Sequence, residues 1–191
     1  MYKKQMLFQK IVCFVTLAAA ALVFLYSLGL VTDLHYNNFA YYAEDPKYPA
    51  FEGAEIYSEI QPFNKQLTAA GIVLILSAVL VFAFSSHKRR KYYIGNYVAI
   101  GLNTALTVAV SVWGILNVKK YREMYYLIDF EKLQWYQELL KKPYDISPFW
   151  FNAGFFVFGI AIFTAVLCIL NLVFKVAVMR GERKLLQEVQ K

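Results

Sequence analysis

Apolar and polar residues in this chain segregate into long blocks instead of alternating within helical turns. Four apolar runs stand out: Ile11 to Thr32, Leu67 to Ser86, Tyr93 to Asn117 and Phe149 to Val178. A bilayer core about 30 Å thick needs about 20 apolar residues per helix, so each run is long enough to cross once. The pattern predicts an all-α integral membrane protein, a bundle of four transmembrane helices in one domain over residues 1–191. Two long extracytoplasmic loops, 33–66 and 118–148, join the outer ends.

The first run follows Lys3, Lys4 and Lys10, as a signal peptide does. Its length exceeds the roughly 7–15 apolar residues of a signal-peptide core, and no convincing small-x-small cleavage site precedes Asp33. An uncleaved span is the expectation. The first loop carries Asp33, Glu44, Asp45, Glu52, Glu55 and Glu59 against Lys47 and Lys65, and Pro46, Pro49, Gly53 and Pro62 argue against a long helix there. Ser85 to Lys91 is short and basic, which makes the second and third runs an antiparallel hairpin. In the second loop, Tyr121, Tyr125, Ile128, Trp135 and Leu139 fall near one helical stripe. That spacing predicts an amphipathic helix from Lys119 to about Leu140, either continuing the third span or lying on the membrane surface. Pro143 ends it, and Ser147-Pro148 restarts a helix.

Basic residues near span ends set orientation. Lys3, Lys4, Lys10, the Lys88–Lys91 connection, Lys175, Arg180, Arg183, Lys184 and Lys191 share one side if the spans alternate. The opposite side is far longer and holds fewer, although Lys119, Lys120 and Arg122 follow the third span directly. Both termini are therefore expected in the cytoplasm. Lys175 is expected to snorkel to the inner surface.

Composition sharpens this reading. The chain has 191 residues, 59% of them hydrophobic, with a mean hydropathy of +0.42 and a net charge of +7. The charge sits beside apolar blocks, which points to lipid headgroups and orientation instead of nucleic acid. Cys13 and Cys168 both lie in apolar runs, so a loop disulfide is excluded. With no Asn-x-Ser/Thr acceptor site either, a bacterial plasma membrane fits better than a eukaryotic surface.

The span cores contain no Asp, Glu, Arg or His, which weighs against proton-coupled transport. In the third span Asn96, Asn103, Thr107 and Ser111 recur on one helical face, with Asn117 at its outer end and Thr104 beside it. Asn171 and Thr164 of the fourth span are candidates to join them. The stripe reads as interhelical packing or as the lining of a pathway. Gly101, Ala105 and Ala109 form a neighbouring ridge expected to allow close packing, so that Gly101→Leu is expected to damage stability. Gly71, Ser77 and Ala78 are packing positions on the second span. Outside the spans, Tyr41, Tyr42, Tyr48, Tyr57 and Trp135 form a candidate interaction surface. His35 and His87 fall on opposite sides, and zinc spacing, phosphate loops and nucleophile elbows are missing. No cofactor or metal is implied.

The expected function is a non-catalytic accessory or interaction subunit of a membrane complex. Its partners are the lipid bilayer and another membrane protein or a second copy of itself. The alternative is an oligomeric channel or small-molecule carrier subunit lined by the third span.

Overall fold

The computed structural model describes residues 2–32, 56–85, 93–128 and 148–189. Four α-helices account for nearly all of them: α1 Tyr2–Thr32, α2 Ile56–Ser85, α3 Tyr93–Tyr125 and α4 Phe149–Val189. Each contains a stretch long and apolar enough to cross a membrane: Lys3–Leu30, Glu59–Ser85, Gly95–Tyr125 and Phe149–Gly181. Each helix packs on its two neighbours in the ring α1–α2–α3–α4, with little contact across the diagonals. The starts of α1 and α3 meet the ends of α2 and α4 at the base of the bundle, and the reverse ends meet at the crown. Large apolar side chains such as Leu76, Val98, Phe156, Phe163 and Val173 remain exposed around the outside. Such a surface belongs in lipid, and the chain is a multi-pass membrane protein.

Burial follows a spacing of three and four residues along every helix. On α1 the inward positions run Gln5, Gln9, Val12, Thr16, Ala19, Val23, Tyr26 and Leu30. On α2 they include Ile56, Ile60, Phe63, Leu67, Leu74, Ala78 and Val81. This seam lets facing helices interdigitate along their whole length, as in left-handed bundles.

The helices outrun the apolar blocks. Helix α2 begins at Ile56, well inside the stretch expected to be loop, and Pro62 lies within it. The missing Pro62 donor costs about 3 kcal/mol in a helix interior. Burial of Ile60, Phe63 and Leu67 offsets this at about 1.5–3 kcal/mol per side chain. The overlooked signal was the inward spacing Ile56, Ile60, Phe63, Leu67. Helix α3 likewise continues beyond Asn117 to Tyr125, burying Tyr121 and Tyr125, and the following turn buries Ile128. The rest of the expected outer helix, with Trp135 and Leu139, lies outside the described residues. Helix α4 restarts at the expected proline: the Pro148 carbonyl accepts from Asn152 N–H at 3.1 Å.

Aromatic side chains close the crown. The Phe63 ring lies 5.1 Å from that of Trp113 and 5.6 Å from that of Tyr121, and Tyr125 lies 5.3 Å from Phe151. Tyr26 donates to the Trp150 carbonyl at 3.1 Å, tying α1 to α4. Tyr121 donates to the Glu59 carbonyl at 2.9 Å, tying α3 to the early part of α2.

Candidate functional site: the polar interior

The buried apolar residues form two clusters. The larger reaches the crown and includes Val23, Leu74, Val118 and Phe158; the smaller, near the base, contains Val12, Cys13, Val81, Ala99, Ile100 and Cys168. Polar residues separate them along three helices: Thr16 on α1, Asn103, Thr107 and Ser111 on α3, and Thr164 on α4. All five are buried. A polar side chain in such surroundings must find a partner or carry the cost of desolvation, and most here find one.

Nearer the base, the bonds join successive helices around the ring. Gln5 donates to Gln9 at 2.9 Å and to Asn171 of α4 at 3.3 Å. The Thr16 hydroxyl meets Cys168 Sγ at 3.5 Å. Lys175 of α4 donates to Asn96 Oδ1 on α3. The Asn96 amide donates to Ser85 Oγ on α2 at 3.2 Å, and Cys13 of α1 meets the same oxygen at 3.3 Å. Ser85 passes its own proton to the Val81 carbonyl at 2.6 Å. This chain of donors spreads the Lys175 charge over an amide, a hydroxyl and a backbone carbonyl, and each bond polarises the next.

Lys175 is only 4% exposed. The expected snorkelling is therefore corrected: its side chain turns inward because position 175 continues the buried spacing Ala161, Thr164, Cys168, Asn171. Its ammonium also lies 5.1 Å from the Tyr97 ring centroid. An ionisable group at this depth is costly and marks a functional position in membrane proteins by default. The sequence alone places Lys175 at the inner surface, because a long side chain near a span end usually reaches water.

The stripe expected on the third span does face inward. Asn96, Asn103, Thr107 and Ser111 are buried, Thr104 lies beside them, and Asn171 and Thr164 of α4 are buried as well. Asn117 is half-buried and donates to its own helix at Trp113. Thr104 and Thr107 return their protons to the carbonyls of Ile100 and Asn103. Ser77 Oγ lies 2.8 Å from the Asn103 side-chain oxygen position and 2.9 Å from the Leu74 carbonyl. One hydroxyl proton cannot serve both. With the Asn103 NH2 turned toward Ser77, the hydroxyl accepts from Asn103 and donates to Leu74. Either way one end of the Asn103 amide, and Ser111 Oγ, has no hydrogen-bond partner among the described residues.

Gly101, Ala105 and Ala109 lie elsewhere. All three are on the outward face of α3, and a β-carbon at Gly101 would meet nothing within 4 Å. The ridge therefore makes no close packing with the chain's other described helices, because the inward face of α3 is set by the polar residues two positions away. The close approaches occur at other glycines. A β-carbon on Gly71 would come within 3.0 Å of the Phe24 backbone, between α2 and α1. One on Gly114 would overlap the Phe158 ring, between α3 and α4. Ser77 and Ala78 are buried at the α2 seam.

No family model, no curated protein and no solved structure matches this chain. Among the described residues no group of three or more His, Cys, Asp or Glu is placed to hold a metal. The side chains gathered at the base can hold helices in register and shelter one positive charge. Tyr41, Tyr42, Tyr48 and Trp135 lie outside the described residues, as does the side chain of Tyr57.

Proposed function

We propose that this chain is a non-catalytic accessory or interaction subunit of a membrane complex, set in a bacterial plasma membrane with both termini in the cytoplasm. One observation carries the reading: the ridge of small residues Gly101, Ala105 and Ala109 is left on the outer face of α3. Membrane helices associate where small residues let backbones approach, and among the described residues a β-carbon at Gly101 would meet nothing within 4 Å while Ala105 and Ala109 are exposed. Of the polar residues, Gln5, Asn96, Lys175 and Ser77 bond by contrast to other helices of the same chain. The dense basic residues at the base support the orientation, since Lys and Arg accumulate on the cytoplasmic side.

The test is affinity purification of the tagged full chain from native membranes, with Gly101→Leu beside the unaltered protein. The expected result is a stoichiometric partner, or a second copy, lost in Gly101→Leu while the monomer stays folded. A partner retained equally by both would overturn the role of this face.

A second reading is favoured by the unpartnered amide end of Asn103 and by Ser111 Oγ. Polar atoms without partners among the described residues suit water or a small solute, which supports a channel or carrier subunit. Flux through reconstituted protein, lost in Asn103→Leu, would replace the accessory role with this one.

A further inference from the structure

At the base, Tyr97 of α3 and Val176, Met179 and Arg180 of α4 line a groove of about 370 Å³, within the roughly 300–1,000 Å³ typical of small-molecule sites. Val176 is 38% exposed and Arg180 is exposed, so the groove opens toward the bundle's outer surface. Its walls are almost wholly apolar, and Arg180 is the charged residue among them. The Tyr97 wall is held in place: its hydroxyl donates to Met179 Sδ at 3.1 Å, and Lys175 stands 5.1 Å from its ring centroid.

We infer that this groove seats one anionic phospholipid, its acyl chain against Tyr97, Val176 and Met179 and its phosphate on Arg180. Depth supports the assignment. Arg180 lies one residue from the end of the apolar stretch Phe149–Gly181, and Val176 and Met179 precede it within that stretch. Charge supports it too. Arg183 and Lys184 follow Arg180 closely in the chain, with Glu182 as the nearby acid in sequence. Basic pockets between membrane helices bind acidic headgroups, and phosphate pairs with arginine in a bidentate manner. A free phosphate ion would gain nothing from the apolar walls. The inference rests on the membrane-embedded reading and is independent of the accessory role.

The full chain, purified in neutral detergent, is offered phosphatidylglycerol or phosphatidylcholine with identical acyl chains. Native mass spectrometry counts the lipid retained, and thermal unfolding reads stabilisation. One phosphatidylglycerol per chain is expected in preference to phosphatidylcholine, with a raised midpoint. Arg180→Gln should weaken retention about fivefold, the contribution of one basic residue near a lipid surface. Lys4→Gln, an exposed change at the same end, should leave it unaltered. Val176→Trp should fill the groove and abolish retention; if that variant does not fold, Arg180→Gln and Lys4→Gln decide. Equal retention of the two lipids, an equal loss in Lys4→Gln, or displacement by sodium phosphate alone would each overturn the inference.

Discussion

Gly114 on α3 lies so close to the Phe158 ring of α4 that any β-carbon there would overlap it. Phe158 is itself fully buried and meets Tyr26 of α1 edge-on at 5.9 Å, so the ring has little room to retreat. Gly114→Ala should therefore destabilise the bundle by about 1–3 kcal/mol, the usual cost of overpacking. Gly101→Ala, on the open face, should leave monomer stability within about 0.5 kcal/mol. Unfolding midpoints in detergent compare the two, and a tolerated Gly114→Ala would contradict the close approach.

Asn96 supports a charge, which makes it more sensitive than its partner. Asn96→Leu strips Lys175 of one hydrogen bond yet leaves its ammonium buried, at about 1–3 kcal/mol or more for a charged group. Lys175→Met removes bond and charge together and fills similar volume. The expected order of damage is Asn96→Leu above Lys175→Met, with the double variant recovering part of the loss. Stability measured across the double-mutant cycle checks this, and the reverse order would refute it.

The Ser77–Asn103 pair should couple weakly. Interhelical hydrogen bonds in membranes average about 0.6 kcal/mol, so a Ser77→Ala, Asn103→Ala cycle should return a coupling near that value. A coupling near zero would remove this bond from the set that joins α2 to α3.

At the crown, Tyr121 and Lys120 both reach Glu59, yet the two contacts should differ in weight. The Lys120–Glu59 pair spans 3.3 Å with both side chains about half exposed, and such surface pairs contribute about 0–1 kcal/mol. Tyr121 is buried against Phe63 and donates to the Glu59 carbonyl. Tyr121→Ala should cost about 3–5 kcal/mol, in line with other buried aromatics, against less than about 1 kcal/mol for Lys120→Ala. Chemical denaturation of the purified protein separates them.

Orientation is tested by labelling. Cysteines introduced at Ser58 and Gln134 should react with a membrane-impermeant thiol reagent in intact cells, and one at Ser86 only after permeabilisation. Native Cys13 and Cys168 are buried and should stay silent. Reaction of Ser86→Cys from outside would reverse the assignment.

The sequence by itself determined four helices long enough to span a membrane, because about 20 consecutive apolar residues have no other economical fate in so short a chain. It also determined which face of α3 turns inward. Among uniformly apolar neighbours, Asn96, Asn103, Thr107 and Ser111 are the exception, and polar groups avoid lipid. Where a run carries no polar residue, as around Val23 of α1, no contrast marks the seam: Val23 is fully buried and Leu22, its neighbour, is 41% exposed. Only tertiary packing decided that Gly114 and Gly71, and not Gly101, carry the close approaches. It alone extended α2 back to Ile56 through Pro62, since the burial that offsets the proline comes from other helices. It also turned Lys175 inward, because Asn96, far away in the chain, supplies the oxygen that makes burying that charge tolerable.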